Sequence, residues 1–341
     1  MHSEGHEMFE HRCAALIEEL HLGKAADVRD VTALTGGVAS DIASVRVGDK
    51  RYCVKFALPK LKVASDWYAP VQRNAAEYAW LEVAADVLPG CAVRLFGRSE
   101  QLHGFVMEFV EGDDVYLWKS ALLSGRPPQG EAGIVGGSLG RVHAVSTRPE
   151  FNTTQFCNRD DFRALRIEPY LAFTAGIHPA VGAELKALAR SLYRSAEVLV
   201  HGDVSPKNIL IRQGAPVILD AECATMGDPA FDSSFCLNHL LLKAMHVPAL
   251  RDELFVAVDQ FWEAYRSHIA WEDPAAVEAR ICALLPALML ARIDGKSPVE
   301  YLSEACRREV REVALSLIRQ PVSTLADYMG DLKPRLEELR T

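Results

Sequence analysis

The segment from His201 to Asp232, HGDVSPKNILIRQGAPVILDAECATMGDPAFD, limits what this chain can become more than any other stretch. The apolar run Val198-Leu199-Val200 leads into it, so Asp203 is expected on a loop leaving a buried strand. Asn208 follows five residues later. Two short apolar runs come next, Ile209–Ile211 and Val217–Leu219, separated by Gly214, and the second delivers Asp220. An HGD triplet alone reads as an ordinary turn, with Gly supplying unusual backbone angles and Asp capping it. The spacing to Asn208 and Asp220, on short strands, is what argues for chemistry.

The chemistry that asks for these residue types is phosphoryl transfer. It uses one Asp beside the acceptor hydroxyl, and an Asn plus a second Asp as oxygen ligands for Mg²⁺. HGDxxxxN followed by LDAE and GDPAFD resembles the aminoglycoside phosphotransferase and choline kinase family of small-molecule kinases. Leu34-Thr35-Gly36-Gly37 and Cys53-Val54-Lys55 extend the resemblance upstream, so the matching pieces are scattered from Thr32 to Asp232. The resemblance implies an α+β, two-lobed protein-kinase-like fold. A small β-rich nucleotide-binding lobe over residues 1–110 would precede a larger, mainly helical catalytic and substrate-binding lobe over 111–341. It also implies transfer of the γ-phosphate of ATP to a hydroxyl of a small molecule: a sugar, amino alcohol or aminoglycoside-like compound.

Within that framework Asp203 is the expected catalytic base, and Asn208 and Asp220 the Mg²⁺ ligands. Glu222 points the same way as Asp220 if the segment stays extended, as a third ligand or a supporting group, or else faces solvent. Lys55 would pair with the nucleotide phosphates, oriented by Glu77, with Glu82 on the same helix a rival partner. The expected nucleotide loop runs from Thr35 to Ser40; Gly36, Gly37 and Ser40 offer close backbone approach to phosphate. Glu108 to Val110 would face the adenine through backbone groups. Asp232 is expected to cap the helix beginning near Phe231 and brace the catalytic loop, and Asp228 to be a turn residue. Lys207 has two open readings, a phosphate contact or solvent. The run Arg292–Pro298 either lines an acceptor pocket or caps two helices, Gly295 ending one and Pro298 starting the next; capping is the simpler account. Lys60-Leu61-Lys62 and Trp67-Tyr68 are left without a role.

Asp220-Ala221-Glu222 stands where a protein kinase has DFG, and no APE-like stretch follows, which favours a small-molecule acceptor over a protein. No GxGxxG or GxxxxGK[ST] run is present, so neither a Rossmann site nor a P-loop is indicated. A different class of function, a non-catalytic nucleotide-binding regulatory protein, would keep the fold and lose turnover.

The 341 residues leave room for two domains of roughly 100–200 residues each. The net charge of −9 argues against a nucleic-acid partner. The longest uncharged apolar run, Ile281 to Ala291, is short for a bilayer span, and the acidic N-terminus is unlike a secretory signal, so a cytoplasmic enzyme is expected. Eight well-spaced cysteines without a CxxC pair read as reduced core thiols.

The periodicities predict helices over the first twenty residues, 73–85, 131–146, 183–198, 231–245, 254–268, 277–292 and 298–318, with strands at 28–34, 42–47, 51–56, 92–96 and 105–110. The polar run 111–114 suits a hinge between the lobes.

Overall fold

The computed structural model describes residues 3–34, 40–62, 68 and 70–338. The chain divides into two compact units, Met1–Asp113 and Asp114–Thr341.

In the first unit, helix α1 (Ser3–Glu19) precedes strands β1 (Val28–Ala33), β2 (Ser40–Val47) and β3 (Lys50–Ala57). Helix α2 (Arg73–Val87) then leads to β4 (Leu95–Ser99) and β5 (Gly104–Glu108). The five strands form one antiparallel sheet in the order β1-β2-β3-β5-β4. Gly48 turns at φ 59°, and its hairpin pairs Val47 with Lys50 and keeps an unbroken register back to Ser40 opposite Ala57. Alternation along β2 and β3 sends Val45, Tyr52, Val54 and Phe56 into one core with Phe9, Cys13, Leu16 and Ile17 of α1, whose 3–4 spacing matches one helix face. The expected strand at 92–96 begins later, at Leu95, and runs to Ser99. In the linking segment Lys60 bridges Tyr68 and Leu61 is buried, while Trp67 lies outside the described residues.

The second unit opens with β6 (Val115–Leu117), α3 (Trp118–Leu123) and α4 (Glu131–Ser146). A nearly continuous helical stretch follows: α5 (Arg159–Phe162), a π-helical segment Arg163–Ala172, and α6 (Phe173–Ile177). Next come α7 (Gly182–Arg194) and strands β7 (Val198–Val200), β8 (Ile209–Arg212), β9 (Ala215–Ile218) and β10 (Thr225–Gly227). Helices α8 (Pro229–His246), α9 (Arg251–Arg266), α10 (Pro274–Asp294), α11 (Glu304–Arg319) and α12 (Leu325–Glu338) complete it. β7 pairs with β10, and β8 lies between β6 and β9. Gly136 lets α4 approach α9 closely; a Cβ there would meet the Phe261 carbonyl oxygen at 2.3 Å.

α10 is long and apolar enough to cross a membrane, but Ile281, Leu284, Leu285 and Leu288 are buried in the unit, where α10 packs on α8 and α11. α11 starts at Glu304, capped by Ser303, so Pro298 does not open it as expected; Gly295 does end α10. None of the eight cysteines is paired; six are buried, Cys91 is half-buried and Cys157 exposed.

α8 is buried along almost its whole length and carries Lys243, 1 % exposed. Burial, reinforced by Lys119 and Arg292, lowers its pKa from 10.5 to about 7. Between those two values the unfolded chain holds a proton that the folded chain lacks, so this residue makes stability rise with pH, and its cost is full below about 7. Lys243→Met should stabilise the fold by ~1–4 kcal/mol near neutral pH. The gain should be largest in mildly acidic buffer and shrink towards pH ~10, as read by urea unfolding at several pH values.

Candidate active site

The loop after β7 is fixed from beneath by a single carboxylate. Asp232, fully buried in the first turn of α8, accepts the backbone N–H of His201 at 2.6 Å (Oδ2) and of Gly202 at 2.8 Å (Oδ1). His143 of α4 meets the same carboxylate, Nε2 to Oδ2 at 3.4 Å, while its Nδ1 lies 2.8 Å from the Tyr265 hydroxyl. Gly202 sits at φ 81°, and a Cβ there would lie 2.7 Å from that of Cys223, so the loop admits only glycine. The helix cap itself is Asp228, which accepts the Ala230 N–H at 2.9 Å and the Arg280 Nε–H at 3.1 Å. The cap expected at Asp232 therefore belongs to Asp228, while Asp232 braces the loop from inside the helix.

His201 is buried, and its ring ties the two halves of the motif together. Nε2 donates to the Leu219 carbonyl at 3.1 Å, and Nδ1 accepts the Asp203 N–H at 3.1 Å. Burial lowers its pKa despite Asp232 and Asp203, which fits the neutral ring these bonds describe.

Asp203 is thereby held in a buried position with Oδ2 against two cations: Lys207 Nζ at 2.9 Å and Arg166 Nη2 at 3.1 Å. Burial would raise its pKa, but Lys207 and Arg166 outweigh that and hold the carboxyl below its usual range. Its other oxygen, Oδ1, is buried with no hydrogen-bond partner among the described residues. Arg166 is itself fixed, its Nε donating to the Gly202 carbonyl at 2.5 Å. Lys207 does not simply point to solvent: its side chain is 43 % exposed, yet its ammonium turns back onto Asp203.

The β8–β9 hairpin joins the remaining groups. Ile209 faces Ile218, and the ladder continues one step outward, with the Leu219 N–H donating to the Asn208 carbonyl at 2.9 Å. Asp220 is thus the next residue beyond Asn208's partner, and it is close enough to raise the Asp203 pKa through its charge. Its backbone, at φ 71°, adopts a conformation that favours glycine. The Asn208 amide donates Nδ2–H to the Asp203 carbonyl at 3.0 Å, leaving Oδ1 as the oxygen on offer. Glu222 is buried, so the solvent-facing reading fails.

In the first unit, Lys55 of β3 and Glu77 of α2 form a buried ion pair at 2.6 Å. Glu82 is exposed and Glu77 is the partner. Ser40, at the start of β2, is buried, and its carbonyl accepts from Lys62 at 3.2 Å. Glu108 ends β5 opposite Tyr52, its carboxylate accepting the Arg94 N–H at 3.1 Å, and Val110 follows, half-buried. Gly36 and Gly37 lie outside the described residues.

Arg166 is the residue that sequence reasoning missed. It lies in a segment carrying Pro169 that winds as a π-helix from Arg163 to Ala172, and its role comes from burial beside Asp203, which no local pattern announces. Its one sequence signal is a basic residue amid Leu165, Ile167 and Leu171, all buried.

A model of the phosphotransferase enzyme family matches residues 30–272, more than half of the chain. The chain belongs to this family and is a small-molecule kinase. A methylthioribose kinase from Erwinia tasmaniensis is 25 % identical over 324 residues, covering 83 % of this chain and 77 % of the relative. One from Pectobacterium carotovorum is 23 % identical, covering 70 % and 69 %. Among solved structures, an amicoumacin kinase in complex with AMP-PNP, Ca²⁺ and Ami matches with a TM-score of 0.56 at 14 % identity, covering 95 % of this chain and 98 % of that one. An ethanolamine kinase from Plasmodium vivax matches with a TM-score of 0.50 at 12 % identity, covering 96 % and 87 %. The fold is that of these two-lobed kinases.

Asp232→Ala should leave the His201 and Gly202 N–H groups buried without an acceptor, lowering stability by roughly 2–5 kcal/mol. Asp232→Asn, keeping one acceptor oxygen, should fall between the two in the same urea titration.

Proposed function

We propose that this protein transfers the γ-phosphate of ATP to a hydroxyl of a small molecule, with Asp203 orienting that hydroxyl. The observation that carries the reading is the buried Oδ1 of Asp203, an acceptor without a donor, on a carboxylate whose other oxygen is held by Arg166 and Lys207. An alcohol O–H satisfies that atom. Because the two cations keep Asp203 ionised far below neutral pH, it is a weak base. Its contribution is orientation first and proton acceptance late, which suits a loose transition state that asks little of the nucleophile's proton.

Asn208 and Asp220 are the residues that would hold Mg²⁺. An amide oxygen and a carboxylate, on residues that the hairpin ladder brings close in the backbone, are the hard oxygen donors such an ion takes alongside phosphates and water. Among the described residues no three His, Cys, Asp or Glu side chains converge as a protein cage, consistent with a site that relies on the nucleotide for its other ligands. When bound, the ion supplies charge neutralisation to the phosphates.

Lys55, ion-paired with Glu77, is assigned to the α- and β-phosphates, and Gly36, Gly37, Ser40, Glu108 and Val110 to the rest of the nucleotide. The methylthioribose kinases among the relatives support a small polyhydroxy acceptor over a protein. No observation favours the non-catalytic alternative.

Asp203→Asn should lower turnover by at least ~10²–10⁴-fold and leave nucleotide affinity close to wild type, while the unfolding midpoint falls because the buried Arg166 loses its counter-charge. ADP release with Mg²⁺ across sugars, amino alcohols and aminoglycosides, beside calorimetric ATP binding, makes the comparison. Undiminished turnover in the variant would remove Asp203 from the reaction.

A further inference from the structure

The larger unit contains a concentration of basic side chains that the transfer reaction leaves unexplained. Arg292, near the end of α10, is 8 % exposed and donates to the Tyr170 hydroxyl at 3.3 Å and to Ser297, with Nε unpartnered. Among the described residues it has no carboxylate within ion-pair distance. Lys243 of α8 has one long hydrogen bond, 3.4 Å to the His239 carbonyl, and lies 5.1 Å over the Tyr301 ring. His239 Nε2 and the Tyr301 hydroxyl are both buried without partners. Lys119 of α3 completes the group and is the only one of these cations with an acidic partner, Glu300.

These groups adjoin Asp203. Tyr170, whose hydroxyl Arg292 contacts, is near enough to influence both Arg166 and Lys207, the two cations on Asp203. The Tyr170 ring packs on Phe235 at 5.6 Å, and Phe235 on His239 at 5.3 Å. Apolar contacts and one hydroxyl therefore separate the phosphoryl-transfer carboxylate from a set of unsatisfied donors.

Unpaired cations and donors packed together in a protein interior are costly unless a counter-charge arrives. We propose that Arg292, Lys243 and His239 recognise the acceptor, and that the acceptor is a small alcohol bearing an oxyanion, a carboxylate or a phosphate. The proposal rests on the kinase reading above and narrows its substrate class. The lowered pKa of Lys243 agrees with it: burial, then Lys119 and Arg292, disfavour its proton, Cys236 and Glu300 oppose them, and a bound oxyanion restores it. Anion affinity should accordingly decline as pH rises above about 7.

The test uses the full chain and matched acceptors: glycerol and D-glycerate, glucose and gluconate, ribose and ribose 5-phosphate, with choline and an aminoglycoside as cations. ADP release should favour the oxyanion member of a pair by at least ~10-fold in kcat/KM, the value of one charge-assisted hydrogen bond. Arg292→Gln and Lys243→Met should each erase that preference while ATP affinity stays unchanged. The glycerate and gluconate arms against ribose 5-phosphate decide between carboxylate and phosphate.

Equal or better turnover of the neutral or cationic members overturns the proposal, as does an equal loss on every acceptor in both variants. Calorimetry of the same compounds without nucleotide, at pH ~6 and ~8, covers the case of no turnover. Binding of an oxyanion compound that weakens at the higher pH and is lost in Arg292→Gln supports the proposal, and no binding by any of them ends it. Failure of the kinase reading shows separately, as absent ATP binding or full turnover in Asp203→Asn.

Discussion

One carboxylate holds the loop that carries Asp203. Asp232 receives two consecutive backbone N–H groups, His201 and Gly202, from inside a helix with no freedom to move. A loop leaving a strand ordinarily satisfies such groups with water and remains mobile. Here the acceptor is part of α8, whose buried flank spans the core, so the loop inherits the rigidity of the helix. Gly202 is the counterpart of that grip: the backbone can approach Cys223 only because the residue lacks a Cβ. His201 then passes the constraint on, joining Asp203 and Leu219 through its two ring nitrogens.

The second constraint is hairpin register. Asn208 and Asp220 are distant in sequence, and the β8–β9 ladder brings Asp220 to the position just after the backbone partner of Asn208. The last step off that ladder places Asp220 at φ 71°, a conformation costing a non-glycine residue of order 1 kcal/mol. The Leu219 carbonyl bonded to His201 and the Leu219 N–H bonded to Asn208 keep the preceding residue fixed, so the strain is borne locally.

Much of this was legible because it obeys short-range rules. Period-two alternation in 42–47 and 51–56, with Gly48 between, led directly to β2 and β3 and hence to Lys55 on the inner face. The composition of 73–85 marked a helix carrying Glu77 but left Glu82 as a rival, and only packing decides between them: Glu77 pairs with Lys55 and Glu82 is exposed. What failed depended on tertiary context. Asp228 and Asp232 are both acidic residues at a helix start; only the position of Pro229 and the depth of α8 decide which caps and which braces. Arg166 was missed because its role rests on a long-range contact, its guanidinium turned inward onto Asp203 and the Gly202 carbonyl, which local pattern does not foretell. Pro298 looked like a helix opener, yet the chain first returns Val299 N–H to the Arg292 carbonyl before α11 begins at Glu304.

The distribution of charge inside the larger unit separates two kinds of buried cation. Arg166 and Lys207 are answered by Asp203, so their burial is compensated and serves to hold a carboxylate ionised. Arg292 and Lys243 have hydroxyls, carbonyls and aromatic faces for company, and the amine gives up much of its affinity for a proton as a result. A core selected for stability alone would fill position 243 with an apolar side chain, as Leu240, Leu241 and Leu242 beside it already do. Retaining an amine there, on a helix that also braces the Asp203 loop, sacrifices stability in the same element that rigidifies that loop. The two features make sense together when α8 both fixes Asp203 and presents the charge that an incoming acceptor must balance.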